Sequence, residues 1–509
     1  MRKNFSYTLL VVVITGLLSA VATGSAQGAA QEPQGTLIWG QLAVTPSVTP
    51  LGNLSINARW VAMSLMDPLF FFRPSEGVFS PGLATSWDLS NPTALRFNLR
   101  QGVRFHDGTP FTSADVVTSV NLARTLPGTL APTFQLIERA EAIDDYTVDI
   151  HLAAPSSEVL FALPLLWIVP AWAEADYDAY SRHPIGTGPF RLISFSPEDR
   201  VVMEANRDYW MEGAPRIARL EYVAIPEDSS RATALLTGEV QVVDQYPGIE
   251  FAAAEANPNV SLALSSAATY RVLWMNAGKE PFSNPLVRQA IRHALDIDAI
   301  TELVWPDVGL QPRSIVPYGT TCYAEQRPAA YDPALARQLL AQAGYPSGFD
   351  LEILKRTNPR TSEEGDVVVA MLQAVGINAS YTVLQDSLFV STALQDVQDW
   401  PMVIFAHANV LTDPAFIVRR LYSDKARDLT GWGKTTEPEQ AAFEAALDRA
   451  TSSTDPEAAC AAWAEVQEVM WTSGTVMNLS DVAAYFGVRS NVEGFVSDAL
   501  VDFRRVSVR

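Results

Sequence analysis

Cysteine is nearly absent from this chain, with two residues in 509. A small scaffold held together by many disulfides is therefore excluded. Basic residues are also few, because 36 Lys and Arg stand against 57 Asp and Glu and leave a formal net charge of −21. Since phosphate binding depends on Lys and Arg, we expect no nucleic-acid partner.

Long uninterrupted hydrophobic runs are scarce as well, and the one near the N-terminus is short. The uncharged apolar run Thr8–Leu18 follows Arg2 and Lys3, and small residues continue to Ala29. This layout predicts a secretory signal peptide over residues 1–29, since the run is shorter than the roughly 20 residues of a spanning helix. No Cys lies near the cleavage region, so we expect no lipoprotein anchor and a mature protein exported to the periplasm.

Sequence motifs for catalysis and metal binding are missing. No two of the five His stand at i,i+4, and neither a His-Glu-x-x-His nor a Gly-x-Ser-x-Gly motif occurs. Gly433–Thr435 resembles the last three residues of a phosphate-binding loop. The glycine that such a loop needs earlier in its sequence is replaced here by Asp428. Gly186–Gly188 reads as a tight turn, and His106 as part of the scaffold. We therefore expect no catalytic residue, no metal, no cofactor and no enzymatic activity.

The remaining pattern is that of a large mixed α/β protein. Hydrophobic residues make up 48% of the chain, and its length exceeds the ~250–300 residues at which a single core stops growing. Five segments with β-branched or alternating residues predict strands: 36–44, 94–99, 147–152, 200–205 and 219–225. Asn284-Pro285 and Asp332-Pro333 predict helix starts, and Gly344 predicts the end of the second of these helices.

Several motifs occur in an order that is typical of one family. They are SPGLATSWD (80–88), LRFNLRQGVRFHDGTPFTSADVV (95–117), PIGTGPF (184–190), NRDYW (206–210), RATALLTGEV (231–240), WMN (274–276), VRQAIRHALD (287–296) and YDPALARQLLAQAGY (331–345). Across essentially the whole mature chain this resembles the peptide/nickel family (family 5) of extracellular solute-binding proteins of ABC transporters.

The resemblance implies an α/β, two-lobed periplasmic-binding-protein (venus-flytrap) fold with an additional α/β domain. Lobe I would use residues 30–68, 185–275 and 480–509, the extra domain 69–184, and lobe II 276–479. Such a protein closes around a small solute and delivers it to an ABC-transporter permease in the membrane, and we expect a monomer. The alternatives are an exported hydrolase, or a signalling or chaperone-like binding module that uses the same cleft.

The ligand is less well defined by the sequence than the fold. In peptide-binding members of the family, an Asp pairs with the ammonium group of the peptide. This Asp lies a few residues before an acidic-Pro dipeptide. Counting back from Asp413-Pro414, Val410 occupies the position of that Asp in this chain. Because Val410 cannot pair with a buried ammonium, ordinary peptides are disfavoured, and a peptide-like, opine-like or oligosaccharide solute is expected. The other candidate ligand-binding residues are Trp60, Trp274, His407, Asn409, Arg419, Trp432 and Tyr485.

The two cysteines leave two alternatives open. Cys322 and Cys460 could form a disulfide that closes a long loop in an exported protein. Alternatively, Cys460 could be a free thiol buried on the apolar face of a helix.

Overall fold

The fold is taken from a computed structural model that describes residues 32–509, except for 50, 52–54, 74–77, 128–130, 319, 328, 357–358, 394–398, 409–413, 424–427, 454–455 and 498–500. The predicted signal peptide, residues 1–29, lies outside the described residues. None of the helices in the described part combines the length and the apolar character needed to cross a membrane.

The secondary structure alternates between strands and helices along the chain. In the described part the strands are β1 Thr36–Gln41, β2 Phe70–Arg73, β3 Val78–Pro81, β4 Ala84–Asp88, β5 Ala94–Leu99, β6 Ile137–Asp144, β7 Thr147–Leu152, β8 Phe190–Ser196, β9 Arg200–Ala205, β10 Arg219–Ala224, β11 Val242–Val243, β12 Val260–Met275, β13 Gly309–Leu310, β14 Asp350–Arg356, β15 Asn378–Leu384, β16 Met402–Ala408, β17 Val476–Arg489, β18 Val492–Glu493 and β19 Ser507–Val508. The α-helices there are α1 Ile56–Leu65, α2 Ser113–Thr125, α3 Ala131–Phe134, α4 Ser157–Ala162, α5 Tyr177–Arg182, α6 Asp228–Thr237, α7 Phe251–Glu255, α8 Pro285–Ala294, α9 Ile297–Val304, α10 Pro333–Gln342, α11 Pro359–Ala374, α12 Asp386–Ala393, α13 Pro414–Tyr422, α14 Pro438–Ser452 and α15 Pro456–Ser473.

The predicted helix starts are confirmed together with their caps. The Asn284 side chain accepts a hydrogen bond of 3.0 Å from the N–H of Leu286 at the start of α8. Asp332 does the same for α10, and Gly344 follows that helix in the left-handed conformation, with φ +95°. The five predicted strands are confirmed as well, although β1 and β10 end before their predicted limits, at Gln41 and Ala224.

One large sheet runs through most of the structure in the order β15-β14-β16-β12-β17-β11-β1-β10-β9-β8, with β13 beside β17. At one end β14 is parallel to β15 and β16, and at the other β1 is parallel to β10 and β11. The long antiparallel strands β12 and β17 join these two parallel groups. This sheet with helices between its strands confirms the mixed α/β class.

A smaller antiparallel sheet has the order β4-β5-β7-β6. It lies between Ala84 and Leu152, inside the range predicted for the extra domain. Strands β1 and β8–β11 come from the segments predicted for lobe I, and β13–β16 come from the segment predicted for lobe II. The domain boundaries themselves stay a prediction.

The turn Gly186–Gly188 lies directly against α1. A Cβ added to Gly188 would come within 2.4 Å of the backbone carbonyl carbon of Leu65, so only glycine fits this approach. Between the two glycines, the Thr187 hydroxyl donates a 3.1 Å hydrogen bond to the buried Asp67 carboxylate. The turn is therefore a packing element, as its sequence predicts.

The two cysteines are joined. Cys322 forms a disulfide with Cys460, and their Cα atoms are 4.8 Å apart. The bond ties the long connection between β13 and α10 to helix α15. The pairing is confirmed, and the alternative of a free buried thiol at Cys460 is wrong.

Candidate ligand-binding cleft

The carboxyl ends of both parallel strand groups point toward the same stretch of the joining strands. Strand β16 ends at Ala408, opposite Thr269 of β12, which is in turn opposite Val482 of β17. From the other side, β11 runs toward Tyr485, whose carbonyl oxygen accepts a 2.8 Å hydrogen bond from the N–H of Tyr246. Ligands of open α/β sheets bind outside the carboxyl ends of parallel strands. We define this convergence as the cleft.

On the β1 side of the cleft, polar side chains are buried without full hydrogen bonding. Gln41 is 0% exposed, and neither its amide nitrogen nor its amide oxygen has a partner among the described residues. The neighbouring Asp244 accepts a 3.0 Å hydrogen bond from the N–H of Leu42 through Oδ1, while Oδ2 has no partner in the described part. Burial raises the pKa of Asp244 to about 6, against the opposing effect of Arg231. Unpaired buried groups of this kind mark a place where another molecule can supply the partners.

Arg231 makes this side of the cleft rigid. It is 1% exposed, and its guanidinium donates to the backbone oxygens of Asp244 (3.2 Å), Ile225 (2.9 Å) and Gln245 (2.9 Å). It also pairs with Asp228 at 2.7 Å. One side chain therefore fixes the segments that follow both β10 and β11.

The joining strands contribute a second buried carboxylate. Asp481 of β17 lies opposite Tyr270 of β12 and is 1% exposed. Its Oδ2 accepts a 3.2 Å hydrogen bond from the N–H of Tyr318, and its Oδ1 has no partner in the described part of the chain. Burial raises the pKa of this carboxyl to about 7.

The three tryptophans predicted to bind the ligand all lie in the core. Trp60 packs against Trp39, with 4.5 Å between ring centroids. Trp274 stacks on Phe405 at 4.8 Å, and Trp432 donates a 2.9 Å hydrogen bond from Nε1 to Glu437. Each ring is at most 4% exposed. Their role in binding stays a prediction. The contacts seen here are those of residues that pack in the core.

The other predicted residues are placed in different ways. Tyr485 lies in the cleft, half-buried, with its ring 4.8 Å from that of Phe251. His407 precedes the last residue of β16 and is paired with Tyr270, and Arg419 belongs to α13. Asn409 and Val410 lie outside the described residues. The structure thus brings the backbones of Tyr485 and His407 to the cleft, and the roles of all five residues stay predictions.

Sequence reasoning missed Gln41, Asp244 and Asp481. Gln41 is a polar residue that ends the apolar strand TLIWGQ, which is a weak signal. The two aspartates show no signal in the sequence, because only the strand pairing reveals that they are buried. Among the residues that the structure describes, no group of three or more His, Cys, Asp or Glu is arranged to hold a metal ion.

The chain is similar to known proteins along most of its length. Residues 78–428 match the family model described as "Bacterial extracellular solute-binding proteins, family 5 Middle". The glutathione-binding protein GsiB of Pectobacterium atrosepticum is 30% identical over 353 residues, which cover 67% of this chain and 68% of that protein. GsiB of Escherichia coli strain K12 is also 30% identical, over 354 residues that cover 67% and 69%.

Solved structures of the same type superpose on nearly the whole fold. The periplasmic binding protein DppA of Helicobacter pylori, in complex with the peptide STSA, has a TM-score of 0.82 and 25% identity over 93% of this chain and 98% of its own. The binding protein AgaA of A. tumefacien R10, in complex with agropinic acid, has a TM-score of 0.82 and 23% identity over 93% and 99%. These likenesses confirm the predicted periplasmic-binding-protein fold.

A family match over more than half of the chain and relatives of this similarity establish what kind of protein it is. Proteins of this family are the substrate-binding components of transport systems, and the solute-receptor prediction is supported over its alternatives. The chain belongs to family 5 of the bacterial extracellular solute-binding proteins, the peptide/nickel family of ABC importers.

Proposed function

We propose that the protein captures an amino-acid-derived solute, peptide-like or opine-like, in the cleft and delivers it to an ABC permease. The observation that carries this proposal is the set of buried, incompletely bonded polar groups around the cleft: Gln41, Asp244 and Asp481. A solute with amide, carboxylate and amino groups offers both donors and acceptors to them.

The relatives support the same ligand class. GsiB is a glutathione-binding protein, and the structures of DppA and AgaA are complexes with the peptide STSA and with agropinic acid. An oligosaccharide takes second place, because the three tryptophan rings that would stack on sugars already pack against protein.

The proposed place of action is the periplasm. Residues 1–29 would direct export and be removed, and the mature chain would act as a monomer that meets the permease at the membrane. N-terminal sequencing of protein recovered from a periplasmic extract tests the export step. A first residue between 27 and 30 agrees with cleavage after Ala26 or Ala29, and an intact Met1 contradicts it.

A thermal-shift screen tests the ligand class. The panel contains glutathione, di- and tripeptides, opines, oligosaccharides and metal chelates. A ligand at 100 times its Kd adds about 2.7 kcal/mol to the free energy of unfolding. We expect stabilisation by at least one peptide or opine. Hydrolysis of a panel member without any stabilisation would instead support the hydrolase alternative, and strong stabilisation by ordinary dipeptides would contradict the expectation drawn from Val410.

A further inference from the structure

Among the described residues, no arginine acts on the Asp481 carboxyl, in contrast with two other buried carboxylates, Glu364 and Glu221. Glu364 pairs with Arg271 at 2.6 Å, and Glu221 pairs with Arg200 at 2.6 Å. Asp481 is at least as buried as Glu221, yet its described bonding is one hydrogen bond from the N–H of Tyr318. Because an isolated buried carboxylate is costly, a missing cation is the simplest explanation for this site.

The described groups around Asp481 do not supply that cation. Burial raises its pKa to about 7, and the Tyr318 N–H is the opposing influence on it. Burial, with a smaller effect from the negative charge of Asp481, raises the pKa of the Tyr323 hydroxyl to about 12. Arg313 acts on Tyr323 and pairs with Asp298 at 3.4 Å. The oxygen Oδ1 of Asp481 is thus left without a partner within the described residues.

The position of Asp481 connects it to the cleft. It precedes Val482, the residue of β17 that lies level with the end of β16. Tyr318, whose N–H bonds the carboxylate, is 69% exposed, and its ring lies 5.8 Å from that of Tyr323. Tyrosine faces attract cations, so the two rings and the carboxylate favour the same kind of group.

We propose that Asp481 is the anchor for a primary ammonium of the captured solute, which binds to its free oxygen beside Tyr318 and Tyr323. This inference rests on the proposed function, and it assigns the positive end of the solute to the joining strands. An ammonium suits the site because it is compact and offers three donors.

Binding of an ammonium would ionise the carboxyl. At neutral pH a carboxyl of pKa about 7 is partly protonated in the ligand-free protein, so ammonium binding releases protons. Among the described residues, the titratable group coupled to Asp481 is the hydroxyl of Tyr323, on which Glu325 and Arg313 also act, and Tyr270 lies opposite Asp481 on β12. Replacing Asp481 identifies which of the released protons come from its carboxyl.

The first experiment uses the ligand-free protein. Asp481→Asn removes a buried charge that lacks a cation, so we expect a higher Tm than wild type at pH 8 and little difference at pH 5. Asp149→Asn is the matched control, because Asp149 is also buried but pairs with Arg96 at 2.7 Å. The control is expected to lower the Tm at both pH values. A lower Tm of Asp481→Asn at pH 8 would mean that the carboxylate has a partner inside the protein, and it would overturn the proposal.

The second experiment measures binding by calorimetry at pH 7, in buffers of different ionisation enthalpy. The probes are glutathione and Met-Leu, each beside its N-acetylated form. For a free amine that binds, Asp481→Asn should weaken affinity at least tenfold and abolish the linked proton release. Affinity for the acetylated form should stay within twofold, and Asp149→Asn should change neither value.

The outcomes separate this proposal from the proposed function. Equal affinity of wild type and Asp481→Asn for a free amine overturns the anchor alone. Binding of no panel member by the wild-type protein overturns the proposed function and the anchor with it.

Discussion

The indole Nε1 of Trp274 donates a 2.9 Å hydrogen bond to the hydroxyl of Tyr422. Trp274 is 0% exposed and stacks on Phe405 and Trp400. The bond joins β12 to α13 in the core, so this side chain helps to hold the helix against the sheet.

Substitution of Trp274 is expected to cost stability. Trp274→Ala should lower the free energy of unfolding by about 3–5 kcal/mol, because it leaves a large cavity. Trp274→Phe keeps most of the ring packing and should cost less, about 1–3 kcal/mol, since it removes the hydrogen bond from the indole to the Tyr422 hydroxyl. Urea unfolding measures both values. Unchanged stability of Trp274→Ala, together with lost solute binding, would instead assign the ring to the ligand.

Gly188→Ala is expected to be strongly destabilising. The added Cβ would lie 2.4 Å from the backbone of Leu65, which cannot rotate away as a side chain could. We expect a loss of more than about 3 kcal/mol in the free energy of unfolding, in the range of severe core overpacking. Gly278→Ala is the control, since its nearest neighbour would be the Asn276 side-chain oxygen at 3.2 Å. Equal effects of the two substitutions would contradict the packing role of the turn.

The disulfide is expected to contribute substantially to stability. The bonded cysteines are separated by 138 residues, and in the chain-entropy account a loop of about 100 residues is worth about 4.7 kcal/mol. Reduction, or the double substitution Cys322→Ser with Cys460→Ser, should therefore lower the free energy of unfolding by about 3–5 kcal/mol. Superimposable urea curves with and without reductant would show that the bond adds nothing.

Stability should fall in mild acid through His106. Its Nδ1 accepts a hydrogen bond from the N–H of Gly186 (3.3 Å), and its Nε2–H donates to the oxygen of Gly188 (3.1 Å). Burial lowers the pKa of His106 to about 4, so the folded protein holds the ring neutral. Below pH 6.5 the unfolded chain binds the extra proton, and this contribution to stability is lost as the pH falls toward 4.

Tm values at pH 7.5, 6, 5 and 4.5 check the effect of His106. His106→Asn should show a smaller fall in Tm than wild type over this range. His183→Asn removes an exposed imidazole and should keep the wild-type dependence. An identical pH profile for His106→Asn would rule out the assigned contribution.

Much of the fold could be predicted from local signals. Strands β5, β7 and β9 have the predicted bounds, because alternation or β-branched content extends over each whole strand. The Asn284 and Asp332 caps mark their helices, because a side chain that bonds the first free N–H groups acts within three residues. Such local signals do not predict which strands pair when the partner strands are far apart in the sequence.

The candidate site shows that limit most clearly. Large aromatic rings are suited to both cores and ligand sites, so the sequence cannot distinguish the two roles for Trp60, Trp274 and Trp432, and the structure places all three in the core. Asp481 looks like an ordinary surface carboxylate in the sequence. Its burial depends on its place between β12 and β13, strands that lie more than 150 residues earlier in the chain.

The sequence by itself determined the α/β class, the family, the helix starts and the residues able to form a disulfide. These features follow from composition, motif order and interactions between near neighbours in the chain. Only the tertiary structure decided which polar groups are buried without partners and where the two strand groups converge. Burial and hydrogen-bond satisfaction are properties of distant segments brought together, and no single segment encodes them.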